Sequence, residues 1–195
     1  MKSKFLTIID FFFQRLSIKY WILKSRYPNV TFWGIPIISC MKQGSIIIGK
    51  SSLINSKNKG YHINMYAPCK FFVDKESATI EIGENCRIHG TCIHAQKRIT
   101  IGDRCLIAAN TNIFDTNGHL SSVNNPRQRL RKRDEPKEIV IGNDVWIGAN
   151  TLIMKGVRIG NNVIVQAGSV IIPNSNFPDN SLIGGNPASI IKRWN

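Results

Sequence analysis

From Ile141 onward a branched aliphatic residue returns at every sixth position: Ile141, Ile147, Ile153, Ile159, Val165 and Ile171. Four residues after each of the first five stands a small or β-branched side chain: Val145, Thr151, Val157, Val163 or Ser169. The same frame passes through Ile82 and Ile88, and again through Ile101, Ile107 and Ile113, with Cys86, Cys92, Cys105 and Thr111 as companions. An amphipathic helix repeats at 3.6 residues and cannot carry this pattern. A short strand followed by a turn can, with the aliphatic residue pointing inward and Gly or Asn relaxing the corner. Three such units close a triangular coil of about 18 residues, and stacked coils bury a continuous core. The expected fold is therefore an all-β solenoid, since a β-sandwich would space its turn signals by about 8–12 residues.

Composition removes several other classes. At 195 residues, 43% hydrophobic and 19% charged, the chain is too apolar to be disordered and long enough for one sizeable core. No run of about 18 consecutive apolar residues occurs, which argues against a membrane-spanning helix. The five cysteines (Cys40, Cys69, Cys86, Cys92 and Cys105) form no CxxC pair and are odd in number, so neither a zinc site nor a complete disulfide framework is expected. Cys86, Cys92 and Cys105 fall at the small inward position and read as core residues. The basic, apolar start is interrupted by Asp10, Gln14 and Arg15 without a cleavage site, so the expected setting is cytoplasmic.

The six-residue frame has one long interruption in its clear portion. Ile113 and Ile141 are 28 residues apart, which is no multiple of six, so a loop over residues 114–138 interrupts the coils. It contains Asp115, Asn117 and His119, followed by Arg127, Arg129, Arg131, Lys132 and Arg133. Long loops on rigid scaffolds are often functional. Before the coils, residues 1–42 form a basic segment, of which residues 2–26 alternate apolar clusters with Lys and Arg in a broadly helical pattern. That helix suits either a cap on the solenoid's open end or contact of residues 1–26 with an anionic membrane face.

The ordered text IGDRCLIAANTNIFDTNGH, IVIGNDVWIGANTLIMKGVRIGNNVIVQAGSVI and IGGNPASIIKRW resembles the hexapeptide-repeat acyltransferases. The likeness is greatest to the branch holding maltose, galactoside and nodulation-factor acetyltransferases and capsule or O-antigen O-acetyltransferases. It covers roughly residues 46–194. The resemblance implies a left-handed parallel β-helix in residues 43–195, although spacing alone would suggest the usual right-handed crossover. It also implies a homotrimer with active sites between subunits, acetyl-CoA as acyl donor, no metal, and a saccharide hydroxyl as acceptor.

Within that resemblance His119 is the general base. Removing a proton from a weak hydroxyl nucleophile near neutral pH suits imidazole, provided a neighbour fixes its tautomer. Asp115 and Asn117 are the candidates for that neighbour, and Asp115 is equally suited to capping a turn. Backbone at Ala149 and Ala167 would line the coenzyme A arm, Trp146 would stand beside the thioester, and Lys192 and Arg193 would meet the coenzyme phosphates. Trp146 also fits an outward aromatic packed on a loop. His89 and Gln96-Lys97 stand where the sugar acetyltransferases carry an Asn and acidic residues, so a different acceptor is expected. His89, Trp146, Arg127 and Arg129 are the candidate acceptor contacts, with a turn-satisfying role open for His89.

The net charge of +14 first suggests nucleic acid, yet the basic loop has no aromatic interleaving. Seven of the 26 cations lie in residues 1–42 and six in residues 114–138, outside the clear hexads. Polyanionic small molecules account for them better: an anionic acceptor or the coenzyme for the loop, with a partner's acidic groups or plain solvent also open. Transfer to an amino group of a nucleotide-linked sugar, antibiotic acetylation and a noncatalytic scaffold are the rival readings.

Overall fold

Each hexad folds as two to four residues of strand and a corner, and the strands stack in register. The computed structural model describes residues 19–41 and 43–194. Three sheets result, and every strand but the last pairs with the third strand before or after it in sequence. The first sheet runs through Thr31–Trp33, Leu53–Asn55, Arg87–His89, Leu106–Ile107, Trp146–Ile147, Ile164–Val165, Ser181–Gly185 and Ala188–Arg193. The second contains Ile37–Cys40, Lys70–Val73, Cys92–Ala95, Asn112–Phe114, Leu152–Ile153 and Val170–Ile171. The third contains Ser45–Ile48, Thr79–Ile82, Arg98–Ile101, Ile139–Ile141, Arg158–Ile159 and Asn176–Phe177. All pairings are parallel except the closing hairpin of Ser181–Gly185 with Ala188–Arg193.

Register stacks like on like. Ile107, Ile147, Val165 and Ile183 are successive partners in the first sheet, and Ile101, Ile141, Ile159 and Phe177 in the third. These side chains form one buried column with the inward companions Cys105, Val145, Val157 and Val163. The corners demand left-handed backbone, which Asn tolerates better than most residues; Asn150, Asn162 and Asn174 take φ of 58°, 54° and 63°.

One cysteine departs from expectation. Ile88 to Ile93 is a five-residue step, one short of the hexad, so Thr91 takes the inward place and is fully buried. Cys92 is consequently turned outward and half-buried, whereas Cys86 and Cys105 occupy the core.

Two insertions break the stack. Regular strand stops at Phe114 and resumes at Ile139, enclosing the expected loop and a short 3₁₀ helix, Pro126–Leu130. A second, unforeseen excursion separates Asn55 from Lys70. Ile54 and Ile88 are direct partners although 34 positions apart, where a regular coil would need 18. Residues 19–26 are helical, and Leu23 and Tyr27 enter the core beside Val30 and Phe32. The Tyr27 hydroxyl donates to the Ile46 carbonyl at 2.9 Å. The greater part of the amphipathic segment, residues 1–18, lies outside the described residues. Among the described residues no helix is long and apolar enough to cross a membrane.

Candidate active site

Two concave regions collect part of the residues singled out above, and they do not overlap. The larger, a groove of about 850 Å³, runs along the first sheet beneath the residue 56–69 excursion. It gathers His89, Trp146, Ala149 and Ala167 with Tyr61, His62, Arg87 and Gln166. Trp146 is half exposed and open to this groove. Neighbouring coils approach so closely here that a Cβ on Gly148 would lie 2.4 Å from the Ala167 nitrogen. The Ala149 carbonyl accepts the Gly168 N–H at 2.8 Å, while the amides of Ala149 and Ala167 donate to no carbonyl among the described residues. The groove thus offers an extended ligand two backbone donors and an aromatic wall.

His89 is buried beneath this groove rather than beside His119. Its ring stacks on Tyr61, with centroids 4.6 Å apart, and Asn55 Nδ2 lies 3.3 Å from Nδ1. Burial, aided by the charges of Arg87 and His62, lowers its pKa to about 4. Its imidazole is therefore neutral at pH 7, an uncharged platform for a planar or apolar group.

The second region, about 350 Å³, opens where the 114–138 loop folds back on the second sheet. His119 lines it together with Asp74, His94, Gln96, Gly118 and the segment Leu130–Arg133. The exposed imidazole places Nδ1 at 2.8 Å from the Arg129 carbonyl. A carbonyl can only accept, so Nδ1 carries the hydrogen, and in the neutral ring the lone pair lies on Nε2. Leu120 N–H donates to the Lys132 carbonyl at 3.1 Å, a second tie between the histidine segment and the basic segment.

Neither expected orienting side chain reaches the imidazole. Asp115 is fully buried, and its carboxylate accepts the N–H groups of Gln96, Lys97 and Arg98 at 2.7–3.0 Å. That is the turn-capping alternative. Burial raises its pKa against the lowering effect of those three amides and of His94. Asn117 contributes its backbone N–H to Asp134 at 3.0 Å, and Asp134 pairs with Lys155 at the root of the loop. The tautomer-fixing acceptor is instead main chain, which no residue identity in the loop announces.

The basic residues sort differently from expectation. Arg127 is exposed on the 3₁₀ helix, and Arg129 turns its side chain to the Ser122 carbonyl at 2.9 Å. Arg131, Lys132 and Arg133 share the His119 cavity. Lys192 and Arg193 lie on the closing hairpin, opposite Leu182 and Ser181, with Lys192 over the Trp194 ring. They line neither region.

Sequence reasoning missed Asp74, His94 and Gln96 as a set. Phe72 and His94 are register partners with stacked rings 4.9 Å apart, and Asp74 and Gln96 follow two residues later on the same outward side. Asp74 Oδ1 stands 3.0 Å from His94 Nε2, and Asp74 Oδ2 accepts from Gln96 Nε2 at 3.1 Å. Period-two alternation in KFFVD and CIHAQ was the available signal, usable only once the register of the two strands was known. Among the described residues no group of three His, Cys, Asp or Glu side chains could hold a metal ion.

Comparison with known proteins adds a family. Residues 138–173 match the bacterial transferase hexapeptide profile, and residues 79–114 match the hexapeptide repeat of succinyl-transferase. A hexapeptide-repeat acetyltransferase of Vibrio cholerae, VCA0836, is 33% identical, over 65% of this chain and 72% of that one, with a TM-score of 0.54. A structure of galactoside acetyltransferase in complex with coenzyme A is 27% identical, over 78% and 66% of the two chains, with a TM-score of 0.57. The galactoside O-acetyltransferase of Lactococcus lactis is 32% identical over 59% of this chain and 63% of its own. The chain spans 51–63% of the length of the first curated relatives it matches.

Proposed function

The chain belongs to the hexapeptide-repeat acetyltransferases, and from that premise we propose that it is an acetyl-CoA-dependent O-acetyltransferase acting on a saccharide hydroxyl. The observation that carries this reading is the Nδ1 contact of His119 with the Arg129 carbonyl, which makes Nε2 the basic nitrogen of the neutral ring, in a residue that lines a cavity open to an acceptor. In the proposed reaction the acceptor O–H bond breaks toward Nε2 and the new O–acyl bond forms at the thioester carbon. The C–S bond then breaks, and the imidazolium returns its proton to the departing thiolate. Neither nucleophilic Ser nor Cys is needed.

The groove holding Trp146, Ala149 and Ala167 is the proposed coenzyme site, with Tyr61 and His89 as its aromatic floor. Relatives of this fold include a VCA0836 structure complexed with acetyl coenzyme A, 28% identical with a TM-score of 0.58. Because His119 and Trp146 line separate regions, one chain does not bring base and donor together. The reading therefore includes a homotrimer in which the 114–138 loop of one subunit meets the groove of its neighbour. It also includes left-handed winding of the three sheets, as the family resemblance implies, and a cytoplasmic location.

The test is thiol release from acetyl-CoA with saccharide acceptors, in wild type and His119→Ala. Loss of about 10²–10⁴-fold in kcat is expected from removal of a general base. Turnover within a few-fold of wild type would exclude His119 as the base.

A further inference from the structure

We infer that the cavity beside His119 is the acceptor site and that it selects an acidic saccharide, one bearing a carboxylate or a phosphate, over a neutral one. The inference rests on the reading of His119 as base and goes further, to the charge class of the substrate. Three cationic residues, Arg131, Lys132 and Arg133, line the cavity, against a single acidic one, Asp74. That carboxylate is already engaged, since one oxygen faces His94 and the other accepts from Gln96. The cations do not ride on a free loop tip. Their segment is tied to the base through two main-chain carbonyls, Arg129 to the imidazole and Lys132 to Leu120 N–H. An anionic group bound there would be held at a set position relative to Nε2.

A second, independent feature points to a ligand. Gln96 is only 6% exposed, and donation from its Nε2 to Asp74 fixes which way the amide faces. Asp74 as a carboxylate can only accept, so Oε1 is committed to the opposite side. There it has no donor among the described residues. Asp74 Oδ1 and His94 Nε2 face each other at 3.0 Å, so Gln96 Oε1 is the atom left over in this group. Buried polar atoms are normally paired, so the unpaired Oε1 of Gln96, a residue that lines the cavity, marks a place for a ligand's own donor. A sugar ring supplies hydroxyl or acetamido N–H donors for Gln96, and a volume of about 350 Å³ suits one ring. The anionic substituent then faces the Arg131–Arg133 rim, where guanidinium groups favour carboxylate and phosphate oxygens.

Matched acceptors test this directly. Methyl glucuronide, glucose 6-phosphate and neutral methyl glucoside are compared by thiol release, and in parallel by saturation-transfer NMR on the free protein. The two acidic arms separate a carboxylate site from a phosphate site. At least one acidic sugar should exceed the neutral one in kcat/KM by about tenfold or more, and R131A/K132A/R133A should abolish that preference. Q96L should raise the acceptor KM by roughly tenfold and leave the acetyl-CoA KM unchanged. Equal or better use of methyl glucoside overturns the acid selectivity while leaving the transferase reading intact. A triple variant that raises the acetyl-CoA KM instead also overturns it, because the cations then serve the coenzyme. If no acceptor releases thiol, the NMR arm decides. Saturation transfer to an acidic sugar but not to methyl glucoside, lost in the triple variant, supports the site, and none to any sugar refutes it.

Discussion

The Nδ1 of His119 donates to the Arg129 carbonyl at 2.8 Å, so the candidate base is oriented by main chain ten residues further along the same loop. The loop therefore works as a closed unit, with the 3₁₀ helix Pro126–Leu130 holding the acceptor for the imidazole. Replacing residues 122–130 with a short Gly–Ser spacer should lower kcat by about 10²-fold or more, approaching the loss in His119→Ala. The melting temperature should hardly move, because the stacked strands do not depend on that segment. Steady-state kinetics and calorimetry of the one variant check both halves.

Asp134 anchors the loop from below. It accepts the Asn117 N–H at 3.0 Å and pairs with Lys155, both side chains being close to fully buried. Burial alone would raise its pKa, but Lys155 and the Asn117 amide outweigh this and hold the carboxyl below its usual range. Its contribution to stability is thus present above the ordinary carboxylate pKa and lost as pH falls through the lowered one. Asp134→Ala leaves a buried ammonium without a partner and should cost about 3 kcal/mol. Urea midpoints should show that loss, and adding Lys155→Met should recover part of it.

His89 sets a pH dependence of opposite origin. Burial, Arg87 and His62 lower its pKa from 6.5 to about 4, so between those values the unfolded chain binds a proton that the folded chain refuses. Stability should therefore fall as pH drops from about 6.5 toward 4 and be indifferent to this group above that window. His89→Gln should flatten the slope, measured as the difference in urea midpoint between pH 7 and pH 5.

Gly148 is required by the approach of the next coil. A methyl group there would sit 2.4 Å from the Ala167 nitrogen, against backbone that cannot yield cheaply. Gly148→Ala should destabilise the fold by about 1–3 kcal/mol. Since the displaced backbone is the wall of the groove, the KM for acetyl-CoA should rise as well, and the two effects are read by thermal unfolding and initial rates.

Thiol accessibility checks the inward and outward positions of the strands. Cys69, Cys86 and Cys105 are buried, and burial pushes the Cys69 thiol up to about 11. Cys40 and Cys92 are partly open. An aromatic disulfide reagent should titrate no more than two of the five thiols in the native protein and all five in denaturant. Protection of Cys92 alongside Cys86 and Cys105 would contradict the five-residue step at Thr91.

The hexad frame determined a great deal unaided. Aliphatic residues six apart with small companions at the fourth place leave a strand-and-corner coil as their economical burial, and the buried column from Ile101 to Phe177 follows that frame. The interruption over residues 114–138 and the histidine within it were legible for the same reason, as a break in a period. What tertiary structure decided concerns groups that sequence identity does not label. A backbone carbonyl, rather than Asp115 or Asn117, faces the imidazole, because hydrogen bonding by main chain leaves no trace in residue type. The excursion over residues 56–69 was invisible because the frame before Ile82 is too sparse to count across. Asp74, His94 and Gln96 meet only through the register of two parallel strands separated by about one coil, and pairing at that separation is set by stacking, not by any local pattern. The separation of His119 from Trp146 has the same cause. Successive strands of the repeat belong to different sheets, so one chain divides between two regions what its family resemblance had placed in one site.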